Sequence, residues 1–242
     1  GNVDALSSLS TEARDVVLNP QKLFPDASTL GHARLVRRGD KQEYIKLVAR
    51  QLRCGKIAFA KRVVASADIF VVGKRSGRQR EVWNGAALSV AAAAPPRPPH
   101  IATPEALLDL EVHSDGRIHV TKRDAQCNFD QLCLPNCLRP YFGRPQVIVA
   151  HLLKYSDLKT GEIQACVPQA LDITASSVLH PVCTTWPMGF AWSSFIAQST
   201  FLSCCKQAGL GESCMLADDL VAPSDPAVTF ALATDDVMIF TT

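Results

Sequence analysis

From Lys41 the apolar residues Tyr44, Ile45, Leu47, Val48 and Leu52 recur at the spacing of one helix face, and Gly55 follows as a stop. Asp68 to Val72 is a short β-branched and aromatic run that predicts a strand. It runs into Gly73-Lys74-Arg75-Ser76-Gly77, and Arg80-Glu81-Val82-Trp83 then resumes a strand pattern, so the segment reads as a β-hairpin with a basic tip. Arg117 to Thr121 alternates Ile118 and Val120 with polar residues and predicts a strand ending at Asp124. Phe190 to Ala208 is apolar over most of its length and closed by Gly209, the pattern of a buried helix. Val228 to Leu232 and Val237 to Phe240 are two strands separated by Ala233-Thr234-Asp235-Asp236, a hairpin with adjacent carboxylates at its tip.

Between these elements, residues 91 to 104 hold Ala94-Pro-Pro-Arg-Pro-Pro99 and read as a linker, and Thr103-Pro104-Glu105 reads as a helix start for Ala106 to Leu110. Residues 1 to 30 mix Ser, Asp and Pro with short apolar stretches, the pattern of a weakly ordered or locally helical lead-in. The sequence contains no run of 18 apolar residues and starts with no secretory pattern, which points to an intracellular protein without a membrane span. Nine scattered cysteines fit reduced thiols, and Cys133 with Cys137 has no second pair to complete a zinc site.

Charge changes the picture only when it is divided along the chain. The whole carries 25 Lys and Arg against 23 Asp and Glu, yet Gly31 to Arg80 alone has 14 against 3. The rest is therefore 11 against 20, and the near-neutral total is two opposed parts cancelling. A local excess of this size points to a polyanion contact.

Two adjacent aspartates at a hairpin tip repel each other unless a cation joins them. Magnesium prefers carboxylate oxygens, and phosphoryl-transfer sites hold it with one or two carboxylates plus substrate phosphates. Asp124, at the end of the strand predicted over 117 to 121, is the natural third carboxylate.

In this order the residues resemble the fingers and palm of a reverse transcriptase from a retroelement. Four blocks between about Arg53 and Phe240 carry the resemblance. Phe70-Val-Val-Gly-Lys74-Arg-Ser-Gly77-Arg-Gln-Arg80 is similar to the fingers hairpin, and the resemblance implies that Lys74 and Arg80 meet the triphosphate of the incoming nucleotide. Asp124-Ala-Gln-Cys-Asn-Phe129 is similar to the first palm motif; Asp124 would ligate both metals and Phe129 would exclude a 2′-hydroxyl. Trp186-Pro-Met188-Gly189, running on to Ser193 and Gln198, resembles the turn-to-helix motif that supports nucleotide and template. Leu232-Ala-Thr-Asp235-Asp236-Val resembles the aspartate hairpin that completes the metal site. The sequence departs from the family at Ala233, Asn84, Ala86 and Met188, where an aromatic, Asp, Arg and Gln respectively are more usual.

The resemblance implies an α+β fold with a partly antiparallel palm sheet backed by helices. It also implies fingers over 31–115 and 143–184, palm over 116–142 and 185–242, and no thumb. The implied activity is nucleotidyl transfer from dNTPs to a primer 3′-hydroxyl on an RNA or DNA template-primer, with two Mg2+ ions, or Mn2+ in their place, on Asp124, Asp235 and Asp236. The remaining thumb and RNase H portions of a parent polyprotein are expected as partners, and the 242-residue chain alone is expected to be inactive or nearly so. Two other readings stay open: an RNA-dependent RNA polymerase palm, against which Phe129 argues, and a catalytically dead relic that at most binds nucleic acid. Asp218-Asp219, followed by Pro223 and Pro226, is expected to be a solvated loop. The histidines lack ligand spacing, Trp186 and Trp192 read as core, and neither a P-loop nor a Gly-x-Ser-x-Gly turn is present.

Overall fold

The computed structural model describes residues 1–27, 30, 40–73, 77, 79–110, 116–167, 172–224 and 227–241. In chain order the helices and strands are α1 (Thr11–Leu18), α2 (Pro20–Leu23), α3 (Lys41–Arg53), β1 (Ile57–Ala60), β2 (Ile69–Gly73), β3 (Gln79–Trp83) and α4 (Ala86–Ala91). They continue as β4 (His119–Asp124), α5 (Asn128–Gln131), β5 (Val147–Ile148), α6 (Val149–Tyr155), α7 (Thr160–Ala165) and β6 (Val178–Cys183). Last come α8 (Ala191–Gln207), β7 (Met215–Leu216), β8 (Val228–Ala233) and β9 (Asp236–Thr241). Helices and mostly antiparallel sheets make this an α+β protein. Among the described residues no helix is long and apolar enough to cross a membrane. All nine cysteines are free.

The chain divides into two units, and it passes between them more than once. Gly1–Val3, Arg14–Ala94 and Phe129–Ala191 form the first; Asp4–Ala13, Pro95–Asn128 and Trp192–Thr242 form the second. In the first unit, β1, β6 and β5 make an antiparallel sheet with Ile57 opposite Cys183 and Val147 opposite Leu179. Asp40 caps α3 by accepting from the backbone N–H of Gln42 and Glu43. The apolar face of α3, with Tyr44, Ile45, Val48 and Leu52, packs with Leu152, Ile163 and Leu179 into one core. The chain then reverses at Gly55, whose φ of 70° suits glycine.

The hairpin β2–β3 pairs Val72 with Arg80 and Phe70 with Val82. It is anchored from its other face, where the carboxylate of Glu81 meets the Arg144 guanidinium at 3.0 Å and the Gln51 amide. Arg144 is 2% exposed, and its Nη1 also donates to Gln51 at 2.5 Å. Burial alone would push this guanidinium down, but the neighbouring Cys183 and Glu81 outweigh it and hold the group above its ordinary range. No sequence periodicity marks Arg144, which sits in a loop between Gly143 and Pro145.

The lead-in contains helices α1 and α2, and Val17, Leu23 and Phe24 are buried, so of the two expectations for residues 1 to 30 the helical one describes most of it. Phe24 stacks on Tyr141 with ring centroids 4.7 Å apart. Trp186 and Trp192 are both buried.

In the second unit the sheet order is β4-β9-β8-β7, antiparallel except for the β7–β8 pair. One face carries Phe230, Leu232 and Val237 against Leu202 and Cys205 of α8. The other face carries Ala231 and Phe240 against Ala102, Leu107 and Leu110. The helix predicted over Ala106 to Leu110 is a single 3-10 turn, Ala106–Asp109. The segment from Pro95 to Leu110, placed by the sequence reading with the fingers, groups instead with the aspartate hairpin. Side-chain ties explain this. Asp218 accepts from the Thr103 backbone N–H and hydroxyl, both at 2.9 Å, and pairs with Arg97, while Asp219 meets His100 at 3.1 Å. The expected solvated loop is an exposed turn whose two carboxylates also clamp the strap, with the Asp218 side chain 16% exposed. Burial pushes the Asp219 carboxyl up, but the hydrogen bond and charge of His100 more than offset this and hold it below its ordinary range. Lys206, by hydrogen bond and charge, holds Glu212 down as well, with help from His100.

Candidate functional site

Strands β8 and β9 are joined by only two residues, Thr234 and Asp235, because Ala233 pairs directly with Asp236. So short a connection needs a positive φ, and Thr234 supplies it at 59°. The Asp235 N–H donates to the Ala233 carbonyl at 2.8 Å, closing a three-residue γ-turn centred on Thr234. A β-branched residue in this conformation is strained by about 1–3 kcal/mol, and it persists only where the surroundings impose it.

Three contacts impose it. The Thr234 N–H donates to Oε1 of Gln198 at 2.6 Å, the Asn128 side-chain amide donates to the Thr234 carbonyl at 3.4 Å, and the Ala125 N–H donates to the Asp235 carbonyl at 2.8 Å. Gln198 lies on α8 and is wholly buried. Its Nε2 donates to the carbonyls of Pro99 at 3.0 Å and His100 at 3.4 Å. One amide thus ties helix, proline-rich strap and hairpin tip together. The sequence reading placed Gln198 in the turn-to-helix motif without giving it this role.

The carboxylates follow from register. Asp124 ends β4 directly opposite Asp236, the first residue of β9. Directly opposed residues share a sheet face with Cβ atoms about 4.5–5.5 Å apart. Lys122, two residues before Asp124 and so on the same face, places its ammonium 3.1 Å from Oδ2 of Asp236. Asp124 is exposed, and Asp235 and Asp236 are half-buried. The oxygen-only donors of Asp124 and Asp236 suit a hard cation such as Mg2+, which needs only one or two protein carboxylates when phosphates supply the rest. The three-carboxylate set is not gathered as one: among the described residues no group of three His, Cys, Asp or Glu side chains is placed to hold a metal ion. Asp235 stands at the turn, whereas Asp124 and Asp236 are opposed in the ladder.

The nucleotide-binding candidates belong to the first unit. Lys74 lies outside the described residues. Arg80 is exposed on β3 and shares a face with Phe70, Val72 and Val82. Phe129 is half-buried in α5, and Met188 is half-buried beside the exposed Gly189. Gly189 has φ 109°, and a Cβ there would collide with the Trp83 carbonyl oxygen, so the backbone passes β3 at a distance only glycine allows. Just beyond it, the hydroxyl of Ser89 accepts from the Ala191 N–H at 3.0 Å and caps the start of α8.

Lys122 and Asn128 escaped the sequence reading although a signal for Lys122 was present, since strand alternation puts residues 122 and 124 on one face. Comparison with known protein families finds no matching family model, and comparison with curated proteins finds no match.

Proposed function

We propose that this chain is the fingers and palm portion of an RNA-directed DNA polymerase, adding dNTPs to a primer 3′-hydroxyl. The observation that carries the reading is the strand register that opposes Asp124 to Asp236 beside a strained, three-way-held Thr234-Asp235 turn. Strain maintained at that expense marks a functional segment.

In this reading Asp124 and Asp236 would hold a divalent cation, and Asp235, at the adjoining turn, is the third carboxylate that the resemblance implies. When bound, a pair of such ions would supply Lewis acidity at the attacking hydroxyl and at the leaving pyrophosphate. Arg80 and Lys74 neutralise the triphosphate, Phe129 closes the space beside the sugar C2′, and Met188 and Gly189 line the nucleotide's support. The basic excess over Gly31 to Arg80 follows the template backbone by charge, which makes binding fall steeply with salt.

Primer extension on a poly(rA)·oligo(dT) template, run with this chain and with any longer natural protein that contains it, tests the proposal. Incorporation of dTTP that is lost in Asp124→Asn and Asp235→Ala supports it. Preference for rNTPs over dNTPs replaces it with an RNA polymerase. Absence of incorporation from the longer protein, with salt-dependent RNA binding retained, replaces it with a silent nucleic-acid binder.

A further inference from the structure

We propose that the cleft between α3 and α6 is where the basic part of this chain takes nucleic acid: a track for one single-stranded backbone, with Arg50 and Lys154 as its phosphate contacts. The inference rests on the polyanion half of the reading above, not on the aspartates, and names the surface which that half requires. All of its residues belong to the first unit.

Helix α3 carries four basic residues, Lys41, Lys46, Arg50 and Arg53, against one acidic, Glu43. Its apolar face is in the core, and these charged side chains are exposed. Lys46 and Arg50 stand one helical turn apart, about 6 Å along the axis, and so share a face. Lys154 and Tyr155, at the end of α6, line the same cleft of about 680 Å³, together with the small, buried Ala49. Two carboxylates line it as well, and each already has a partner: Glu43 meets Lys46 at 2.7 Å, and Asp157 meets Arg53 at 2.7 Å. Arg50 and Lys154 are the charges left over. The Arg50 side chain has no hydrogen bond or ion pair among the described residues. The Lys154 ammonium lies 5.1 Å from the centre of the Tyr155 ring, a contact that holds a cation in place without neutralising it. Packed helices lie about 8–10 Å axis to axis, so the cleft between them admits a single strand and not a duplex, whose major groove alone is about 12 Å wide. Apart from Ala49 and Tyr155, every residue lining the cleft is polar or charged, which the core of a protein interface avoids and a phosphate backbone requires. A basic groove with an aromatic side chain in its wall is the arrangement that holds single strands without sequence preference.

The test is binding of fluorescein-labelled oligo(U), about a dozen nucleotides long, to the 242-residue chain, read by fluorescence anisotropy across a salt series. Each phosphate contact on a single strand adds about 0.7 to the slope of log affinity against log salt. Arg50→Gln/Lys154→Gln should therefore flatten the slope by about 1.4 and bind about 25-fold more weakly than wild type at about 0.1 M salt, the ratio that this slope gives over the tenfold span below 1 M. Lys22→Gln/Lys206→Gln, which removes the same charge from ion pairs outside the cleft, should keep the wild-type slope. Arg50→Lys should stay near wild type. Glu43→Gln, which frees Lys46, should bind more tightly, a sign that loss of structure cannot produce. Equal losses in the cleft pair and the control pair, or an unchanged slope in the cleft pair, overturn the track and leave the polyanion reading standing. A hairpin duplex with the same number of phosphates should lose less than the single strand; an equal loss overturns the single-strand assignment. Tighter binding of a glutamate-rich peptide of equal charge, lost in the same variants, overturns the nucleic-acid assignment. Absence of salt-dependent oligo(U) binding by wild type overturns the polyanion reading, and this inference with it.

Discussion

Replacing Gln198 by leucine removes the one amide that serves both the hairpin tip and the proline-rich strap, at nearly constant volume. Two strong hydrogen bonds go, the acceptor for the Thr234 N–H at 2.6 Å and the donor to the Pro99 carbonyl at 3.0 Å, together with the longer one to the His100 carbonyl at 3.4 Å. Both partners are half-buried, so each orphaned group costs about 1–2 kcal/mol, the lower part of the usual range. The freed turn then relaxes and returns about 1 kcal/mol of the strain stored at Thr234. The net loss is about 1–3 kcal/mol, felt first at the tip. Amide hydrogen exchange resolved by residue is the direct assay: at a loss of 2 kcal/mol the Thr234 amide should exchange about 30-fold faster in Gln198→Leu. Amides in the middle of α8, at Ile196 and Leu202, should change less. Gln198→Glu separates the two halves of the effect, because it keeps the acceptor for Thr234 and turns a second oxygen toward the Pro99 and His100 carbonyls. Thr234 exchange within threefold of wild type in Gln198→Leu, with urea stability unchanged to within about 0.5 kcal/mol, would refute the reasoning.

Gly189→Ala should destabilise by at least about 2 kcal/mol, since it adds a clash with the Trp83 carbonyl to an unfavourable φ of 109°. Gly209→Ala, at φ 88° with open space around it, should cost only about 1 kcal/mol, and paired thermal melts check the contrast. Arg144→Met leaves the Glu81 carboxylate without its buried partner and should cost about 3–5 kcal/mol. A double-mutant cycle with Glu81→Gln, read by urea unfolding, should show coupling of more than about 1 kcal/mol. Glu212 and Asp219 both have depressed carboxyl values when folded, so their contribution is complete above the ordinary carboxylate range and is lost as pH falls through the depressed values. Melting temperature between pH 3 and 7 should therefore fall at the acid end in wild type and fall less steeply in Glu212→Gln/Asp219→Asn.

Local chemistry made a good part of this protein legible in advance. Helix α3 was written in the spacing of Tyr44, Ile45, Val48 and Leu52, its end in Gly55, and the hairpin β8–β9 in two apolar runs around four residues. These depend on neighbours within a turn or a strand length, where periodicity and turn chemistry act directly. The strand ending at Asp124 was legible for the same reason, and so was the candidacy of the three aspartates. In the segment from 143 to 184 the sequence reading assigned no elements, yet β5, α6, α7 and β6 lie there. Two of those are short, and β5 has only two residues, too few for a period to declare itself.

Tertiary structure alone decided the rest. The opposition of Asp124 to Asp236 joins residues more than a hundred positions apart through a ladder register that no local pattern encodes. The buried amide of Gln198, the Asp218 clamp on the proline-rich strap and the Lys122 ion pair likewise depend on where distant backbone arrives. The division is physical. Propensity and periodicity act along the chain and fix which elements form, whereas the partner of a charge, the burial of an amide and the strain a turn is made to bear are set by packing between segments.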